Sequence, residues 1–258
     1  MSEATERLVR TAVDGGVATI TLDRPPLNVI TRSLARELRD ALAALGGRSD
    51  LRAAVLTAAG KDFSAGADVG EHLPPAFEAM IPEFLGTVEA IAAFPLPVIA
   101  AVRGRCLGGG FELVQAADMI VAGEGASFGQ PEIRLAVTAP AACVLLPRLA
   151  GPGAAAEILY LGDVIHAERA RAMGLVQRVV PDDRVEEEAR ALAGRIARWS
   201  APALRLTKRT MRAAAGHDRT EAIEAAGAIY KDELMRTEDA LEGLTAFVEK
   251  RAAAWRHR

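Results

Sequence analysis

Short apolar runs, each followed by a glycine-containing loop and a helical pattern, constrain the fold of this chain more than any other feature. Residues 16–22 (GVATITL) show an alternating pattern rich in β-branched residues, which predicts a strand. Residues 52–57 (RAAVLT), 98–102 (VIAAV) and 119–122 (MIVA) indicate buried strands, and one more is expected within residues 175–180. Such runs, separated by helices, are typical of parallel sheets covered on both faces, so we predict an α/β core.

Helical periodicity fills the intervals between these strands. Residues 31–45 place leucines at positions 34, 38, 42 and 45 on one face, and residues 77–94 predict a helix that ends at the Pro95-Leu96-Pro97 segment. Beyond about residue 140 the pattern is mostly helical. Asp183 and Glu186 form a candidate capping box at the start of one of these helices.

The last part of the chain is predicted to be a helical layer added to a complete core. Helices are expected to begin at Ser200 and at Thr237, and the final one shows Leu241, Leu244, Val248 and Trp255 on one side. We therefore divide the chain into an α/β core, residues 1–199, and a helical region, residues 200–258. An apolar stripe on such a region is typical of a subunit interface.

Composition excludes several classes of protein. The 258 residues carry 31 Lys and Arg against 34 Asp and Glu, a formal net charge of −3, whereas nucleic-acid binders usually have a basic surplus. The two cysteines cannot build a disulfide framework, and their scarcity suits a reducing compartment. The N-terminal residues lack a signal-peptide core, and no stretch has the roughly 18 uninterrupted apolar residues of a membrane span. We expect a cytoplasmic protein without nucleic-acid or membrane partners.

Three loops carry the residues best suited to chemistry: 63–68 (FSAGAD), 108–112 (GGGFE) and 128–133 (FGQPEI). Glycine-rich turns at the carboxyl ends of neighbouring parallel strands can direct two backbone N–H groups at one carbonyl oxygen, which is an oxyanion hole. Glu112 lies in the first turn of a predicted helix, and Glu132 follows on the third loop. Two carboxylates in one pocket can supply a general acid and a general base.

Each of these features also has a structural interpretation. A GGG run is more often a close-packing turn, a glutamate in a first helical turn usually stabilises the helix dipole, and a PEI loop is usually only a turn. The GGG segment matches neither a dinucleotide fingerprint nor a phosphate-binding loop. Cys106 is better explained as a structural thiol. The four histidines, at positions 72, 166, 217 and 257, are too scattered for a metal site, and only His72 lies near the first loop.

The ordered set FSAGAD, VIAAVRGRCLGGGFEL and FGQPEIRL resembles the enoyl-CoA hydratase/isomerase (crotonase) superfamily. The resemblance runs from LDRPPLNVI near the start to AFVEKR near the end. It implies a spiral of ββα units, a C-terminal helical region that mediates trimers or dimers of trimers, and acyl-CoA thioester substrates. It also implies that coenzyme A enters only as part of the substrate and that no metal or redox cofactor is required.

The resemblance assigns roles to individual residues. The oxyanion donors are the backbone N–H groups of Ala67 and Gly109, and the two hydratase glutamates are Glu112, mainly for water activation, and Glu132, mainly for proton delivery. The implied coenzyme A contacts are Pro26, Leu27, Ala65, Asp68 and Val69. Phe247 and Lys250 are implied to reach the coenzyme, often that of a neighbouring subunit.

The sequence departs from typical hydratases after the PEI loop. Residues 135–143 (LAVTAPAAC) stand where a PGAGG-type segment is usual, which predicts a bulkier, more apolar wall around the acyl group. The chain also resembles one branch of the family, the cyclohexa-1,5-diene-1-carbonyl-CoA hydratases, in the segments RCLGGG, FGQPEIRL and APAAC. The presence of both glutamates favours an enoyl-CoA hydratase. The alternatives are an isomerase, a hydrolase or a lyase of the same fold, or a non-catalytic CoA-binding oligomer.

Overall fold

The computed structural model describes residues 7–213 and 218–258. Its main sheet has six strands in the order β1-β2-β3-β4-β6-β9, and a smaller sheet has the order β5-β7-β8. The strand bounds are β1 Val9–Asp14, β2 Val17–Leu22, β3 Ala53–Ala58, β4 Val98–Val102, β5 Arg105–Leu107, β6 Met119–Gly123, β7 Ser127–Gly129, β8 Ile165–His166 and β9 Arg178–Val180. From β2 to β9 the main sheet is parallel, which confirms the predicted α/β class.

The helices follow most of the predicted pattern. They are α1 Arg32–Gly46, α2 Phe77–Ala93, α3 Gly109–Gln115, α4 Pro140–Leu161, α5 Ala167–Ala172, α6 Val185–Ile196, α7 Ala201–Ala213, α8 Arg219–Asp232 and α9 Glu238–Glu249. Thr31 caps α1 by accepting from the N–H of Leu34, and the leucines at 34, 38, 42 and 45 are buried as the periodicity predicts.

Alternate residues of β3 enter two different cores. Ala54 and Leu56 join the large core, which α1 and α2 help to build, whereas Ala53 and Val55 face a smaller cluster completed by α6. Because both faces of this strand are covered, its sequence is apolar without alternation. The carboxyl ends of β3 and β4 lead into the first and second candidate loops.

The predicted capping box at Asp183 is wrong. Residues 182–184 form a 3₁₀ turn, and α6 begins behind Arg184 without a side-chain cap. The neighbouring Asp182 instead accepts a hydrogen bond from the N–H of Gly125. Only residues 181–184 separate β9 from α6, and the 3₁₀ turn occupies most of them. Arg184 therefore enters α6 in a helical conformation and not in the extended conformation of a side-chain N-cap.

The C-terminal helices are joined to the sheet by a buried lysine. Lys208 on α7 donates to Asp118 at 2.6 Å and to the carbonyl oxygen of Leu96 at 3.0 Å. Burial lowers the pKa of Lys208, and the Asp118 carboxylate opposes that shift. The prediction that Trp255 lies on the last helix is wrong, because α9 ends at Glu249 and the indole packs back against Gly243. The division of the chain at residue 200 stays a prediction.

Helix α4 is long and apolar enough, by length and composition alone, to cross a membrane. Its backbone is interrupted at Gly151, whose φ of 82° and ψ of 160° are not helical. The two straight halves are therefore each about half the roughly 20 residues that a spanning helix needs. The kink turns the second half so that both halves border one cavity.

Candidate active site

Hydrogen bonds of buried polar groups hold the first loop in place. Ser64 is fully buried; its hydroxyl donates to the carbonyl oxygen of Asn28 at 2.8 Å and accepts from the N–H of Gly66 at 3.1 Å. The N–H of Asp68 donates to the carbonyl oxygen of Ile30. Within the described ranges, the intervening N–H of Ala67 has no acceptor.

The second loop places another N–H beside the first. Gly108 has a φ of 50° and a ψ of −128°, a conformation that favours glycine, and its N–H donates to the carbonyl oxygen of Gly129. Gly109 is the first residue of α3, and its N–H has no acceptor among the residues that the structure describes. A Cβ added to Gly109 would lie 3.2 Å from the Ala67 nitrogen. The two predicted oxyanion donors are therefore neighbours.

Glu112 is almost fully buried, and its carboxylate is held by the start of another helix. Its Oε1 accepts from the N–H groups of Ala141 at 2.8 Å and Ala142 at 3.0 Å. These are free donors of the first turn of α4, where Pro140 has no N–H. Burial raises the pKa of Glu112 to about 7, the two N–H bonds oppose the rise, and the charge of Glu132 adds to it.

Glu132 faces the same space from the third loop. A Cβ on Gly108 would come within 2.5 Å of Glu132 Oε1, so the carboxylate lies directly against the turn that begins α3. Burial raises the pKa of Glu132 above its usual range, while its own backbone N–H and the charge of His72 lower it. The two carboxylates thus share one site, and both are shifted toward the protonated form that a proton donor needs.

His72 belongs to the same neighbourhood. It ends the 3₁₀ turn Gly70–His72, and its Nδ1 lies 2.8 Å from the carbonyl oxygen of Asp68. A carbonyl oxygen only accepts, so Nδ1 is the protonated nitrogen. His217 lies outside the described residues.

The predicted coenzyme A residues fall into two groups. Pro26 and Leu27 lie beside Ala65, whose N–H donates to the carbonyl oxygen of Leu27, and Asp68 and Val69 continue the same loop, with Val69 exposed. This group borders the two N–H donors. Phe247 and Lys250 lie elsewhere, on and just behind α9, where Phe247 is 84% exposed. The structure does not bring these two residues to the site of the same chain.

A cavity of about 320 Å³ extends from Glu132 between the two halves of α4. Small and apolar side chains form most of its wall. They include Val137, Ala139, Cys143, Pro147, Pro152, Ala155, Ala156 and Leu159, with Tyr160 at the edge. From the segment 135–143, Val137, Thr138, Ala139 and Cys143 contribute to this wall; that the wall surrounds the acyl group stays a prediction. A cavity of about 440 Å³ between α7 and α9 contains neither glutamate.

Sequence reasoning missed the buried amides that support this site. Asn28 is fully buried and donates to the carbonyl oxygens of Ala59 and Asp62, which fixes the approach to the first loop. Gln115 and Gln130 are also buried. A glutamine three residues after Glu112 on the same helix face was the available signal, because positions i and i+3 are neighbours.

Known proteins share this fold and these loops. Residues 12–258 match the model of the enoyl-CoA hydratase/isomerase family. The cyclohexa-1,5-dienecarbonyl-CoA hydratase of Thauera aromatica is 38% identical over 259 residues, covering 100% of both chains. The crotonyl-CoA hydratase of Syntrophomonas wolfei is 38% identical, covering 92% of this chain and 93% of the relative.

The crystal structure of enoyl-CoA hydratase from Bacillus anthracis superposes with a TM-score of 0.93 at 34% identity, covering 98% of this chain and 100% of that one. The expected crotonase-type fold is therefore confirmed, and so is the expected class of enzyme, an enoyl-CoA hydratase. The motifs, the fold and these relatives agree: the chain belongs to the enoyl-CoA hydratase/isomerase family.

Proposed function

We propose that this enzyme adds water across the α,β double bond of an acyl-CoA thioester by means of Ala67, Gly109, Glu112 and Glu132. The observation that carries the proposal is the pair of adjacent N–H groups on Ala67 and Gly109, which have no acceptor among the described residues and lie next to the buried carboxylate of Glu112 and the half-buried carboxylate of Glu132. Unpaired donors beside proton-transfer groups suit a reaction in which negative charge develops on a carbonyl oxygen.

The two N–H groups act on the thioester oxygen. As water attacks the β-carbon, electrons move toward this oxygen and an enolate forms. Donors that are already fixed in position stabilise that charge without reorganisation, and removing one such donor typically costs about 3–4 kcal/mol of transition-state stabilisation. The hydrogen bonds around Ser64 and the positive-φ turn at Gly108 hold the donors in place.

The two glutamates handle the protons. Glu112, held by the N–H groups of Ala141 and Ala142, takes a proton from the attacking water in its ionised form. Glu132 in its protonated form delivers a proton to the carbon that becomes saturated. Both groups have pKa values raised by burial, so the pair can hold a single proton near neutral pH. Charge stabilisation and proton transfer are then supplied by the chain, without a metal or redox cofactor.

The cavity beside Glu132 suits a compact apolar acyl group. Its volume of about 320 Å³ lies near the lower end of ligand pockets, which span roughly 300–1,000 Å³. Ala155, Ala156 and Cys143 leave room for a ring. The Thauera relative is named for a cyclic dienoyl substrate, and we propose that this enzyme accepts the same class of thioester.

The coenzyme A arm is proposed to pass over Pro26, Leu27, Ala65, Asp68 and Val69. Phe247 and Lys250 are exposed at the end of α9, so they fit a contact with the coenzyme bound to a neighbouring subunit. Leu241, Leu244 and Val248 on α9 are exposed as well. A homotrimer, alone or paired, would cover them, and the cytoplasm is the proposed location.

The test is turnover of two thioesters. Purified protein is incubated with crotonyl-CoA and with a cyclic dienoyl-CoA, and loss of the conjugated enone absorbance is followed. We expect hydration of at least the cyclic substrate, and a loss of about 10²–10⁴-fold in kcat for Glu112→Gln and for Glu132→Gln. Glu78→Gln, on the exposed start of α2, is the control and keeps wild-type turnover. Hydration of neither thioester, or full activity in either site variant, contradicts the proposal.

A further inference from the structure

Two buried glutamines connect the helix of Glu112 to the loop of Glu132. Gln115 lies on α3, one turn after Glu112, and is 3% exposed; Gln130 lies two residues before Glu132 and is 1% exposed. Neither side chain takes part in the proton transfers described above. Burying two primary amides is costly unless the amides are hydrogen-bonded.

The surrounding atoms decide how the amide of Gln130 is oriented. Gln115 Nε2 donates to Gln130 Oε1 at 2.9 Å, and Gln130 Nε2 then donates to Glu132 Oε2 at 3.0 Å and to Oε1 at 3.3 Å. Beside an ionised Glu132, the opposite orientation would place the amide oxygen against two carboxylate oxygens that cannot donate, and the amide nitrogen against the Gln115 Nε2 donor. One donor from Gln115 therefore selects which end of Gln130 meets Glu132.

We infer that Gln130 is a positioning residue for Glu132 and that Gln115 fixes the orientation in which Gln130 acts. The inference rests on the proposed function, because it concerns the glutamate proposed to deliver the proton. An N–H donated to a carboxylate stabilises its ionised form and holds its plane, so Gln130 opposes the effect of burial on Glu132.

Gln115 makes this bond with part of its own capacity unsatisfied. Its Oε1 is buried and has no hydrogen-bond partner among the groups that the structure describes. An apolar side chain at this position would avoid the cost of burying an unpaired amide oxygen. We attribute the presence of a glutamine at this position to the hydrogen bond that its Nε2 donates to Gln130.

The charged surroundings of Glu132 define what a titration would report. Glu112 faces it from α3 and His72 from the Gly70–His72 turn. Helix α4 presents the thiol of Cys143 and the phenol of Tyr160 along the shared cavity. The two glutamates titrate as a pair, and the high-pH limb of the rate profile reports loss of the last proton from that pair.

The test measures the pH dependence of kcat in Gln130→Met and Gln115→Met. Methionine approximates the shape of glutamine but cannot donate, so Gln130→Met should favour protonated Glu132 and move the high-pH limb upward by about one pH unit. Gln115→Met should move it in the same direction by less, because the Gln130 amide is then free to turn. The double variant should match Gln130→Met alone, since both act through one bond.

Gln177→Met is the matched control. Gln177 supports β6 by accepting from the N–H of Ile120 and lies outside the site, so its loss should lower stability and leave the limb in place. An unmoved limb in folded Gln130→Met, or shifts that add in the double variant, overturns the inference. If Gln130→Met does not fold, an unmoved limb in Gln115→Met overturns it.

A ¹³C NMR titration of the glutamate carboxyls separates this inference from the proposed function. The Glu132 resonance is assigned by its loss in Glu132→Gln. Absence of turnover on every thioester would count against the hydratase mechanism, whereas the Glu132 titration in Gln130→Met still has to shift upward. A wild-type titration curve there would overturn the inference on its own.

Discussion

Replacing Glu112 with glutamine is expected to make the fold more stable at alkaline pH while it removes most of the activity. The carboxyl is 3% exposed, and burial raises its pKa from 4.5 to about 7. A difference of this size between the unfolded and folded states corresponds to about 3 kcal/mol. Active sites commonly carry such a cost in exchange for chemistry.

The sign follows from which state prefers the proton. The folded state has the higher pKa, so below about pH 4 the carboxyl is protonated in both states and Glu112 costs nothing. As the pH rises past 7, the folded protein must ionise a buried group, and the full cost appears. Glutamine never ionises, so the variant avoids this cost. Its neutral amide accepts the N–H groups of Ala141 and Ala142 less strongly than a carboxylate does, which reduces the gain in stability by about 1 kcal/mol. We expect the free energy of unfolding of Glu112→Gln to exceed that of the wild type by about 1–3 kcal/mol near pH 8.5.

Urea unfolding monitored by circular dichroism measures this difference. Curves are recorded at about pH 5.5, 7 and 8.5 at one fixed protein concentration, because assembly would otherwise shift the midpoints. The advantage of Glu112→Gln should shrink steadily toward pH 5.5. Glu78→Gln reports the generic effect of losing one surface carboxylate. A difference that does not change with pH, or a variant less stable than the wild type at pH 8.5, would refute the reasoning.

Three further substitutions test the construction of the site. Gly108→Ala places a Cβ 2.5 Å from Glu132 Oε1 at a φ of 50°, so we expect a loss of about 1–3 kcal/mol in stability and about 10²-fold in kcat; unchanged kinetics would contradict this. Ser64→Ala removes two buried hydrogen bonds of the first loop and should cost about 1–3 kcal/mol in thermal unfolding together with a lower kcat; a full kcat would show that the loop does not need them. Cys143→Leu narrows the cavity and should lower kcat/KM for a cyclic dienoyl-CoA by about 10–200-fold relative to crotonyl-CoA; equal losses on both would contradict the assignment of the acyl end.

The sequence predicted the elements whose burial it records directly. Strands β3 and β4 are apolar throughout because both faces are covered, and α1 shows its buried stripe. Strand β1 was missed because it is an edge strand with mostly exposed side chains, and β5, β7 and β8 are too short to show any period. Trp255 continued an apolar pattern that the end of α9 interrupts.

The site was predictable in its residue types but not in its supports. Glu112, Glu132 and the glycine turns stand out along the chain, and the structure brings them together. The bonds from Ala141 and Ala142 to Glu112 span about thirty residues and arise from the free N–H groups of α4, which no local pattern announces. Gln130 lies in a loop that resembles an ordinary turn, so its contact with Glu132 is visible only in three dimensions.

The central claim is that the pair of N–H donors and the two glutamates perform hydration, and product analysis in D₂O tests it most directly. Crotonyl-CoA and a cyclic dienoyl-CoA are each turned over in D₂O, and the products are identified by NMR and mass spectrometry. The account predicts an intact thioester with a new hydroxyl on the β-carbon and one solvent deuterium on a neighbouring or conjugated carbon. Release of free coenzyme A, or a shifted double bond without a hydroxyl, would contradict it.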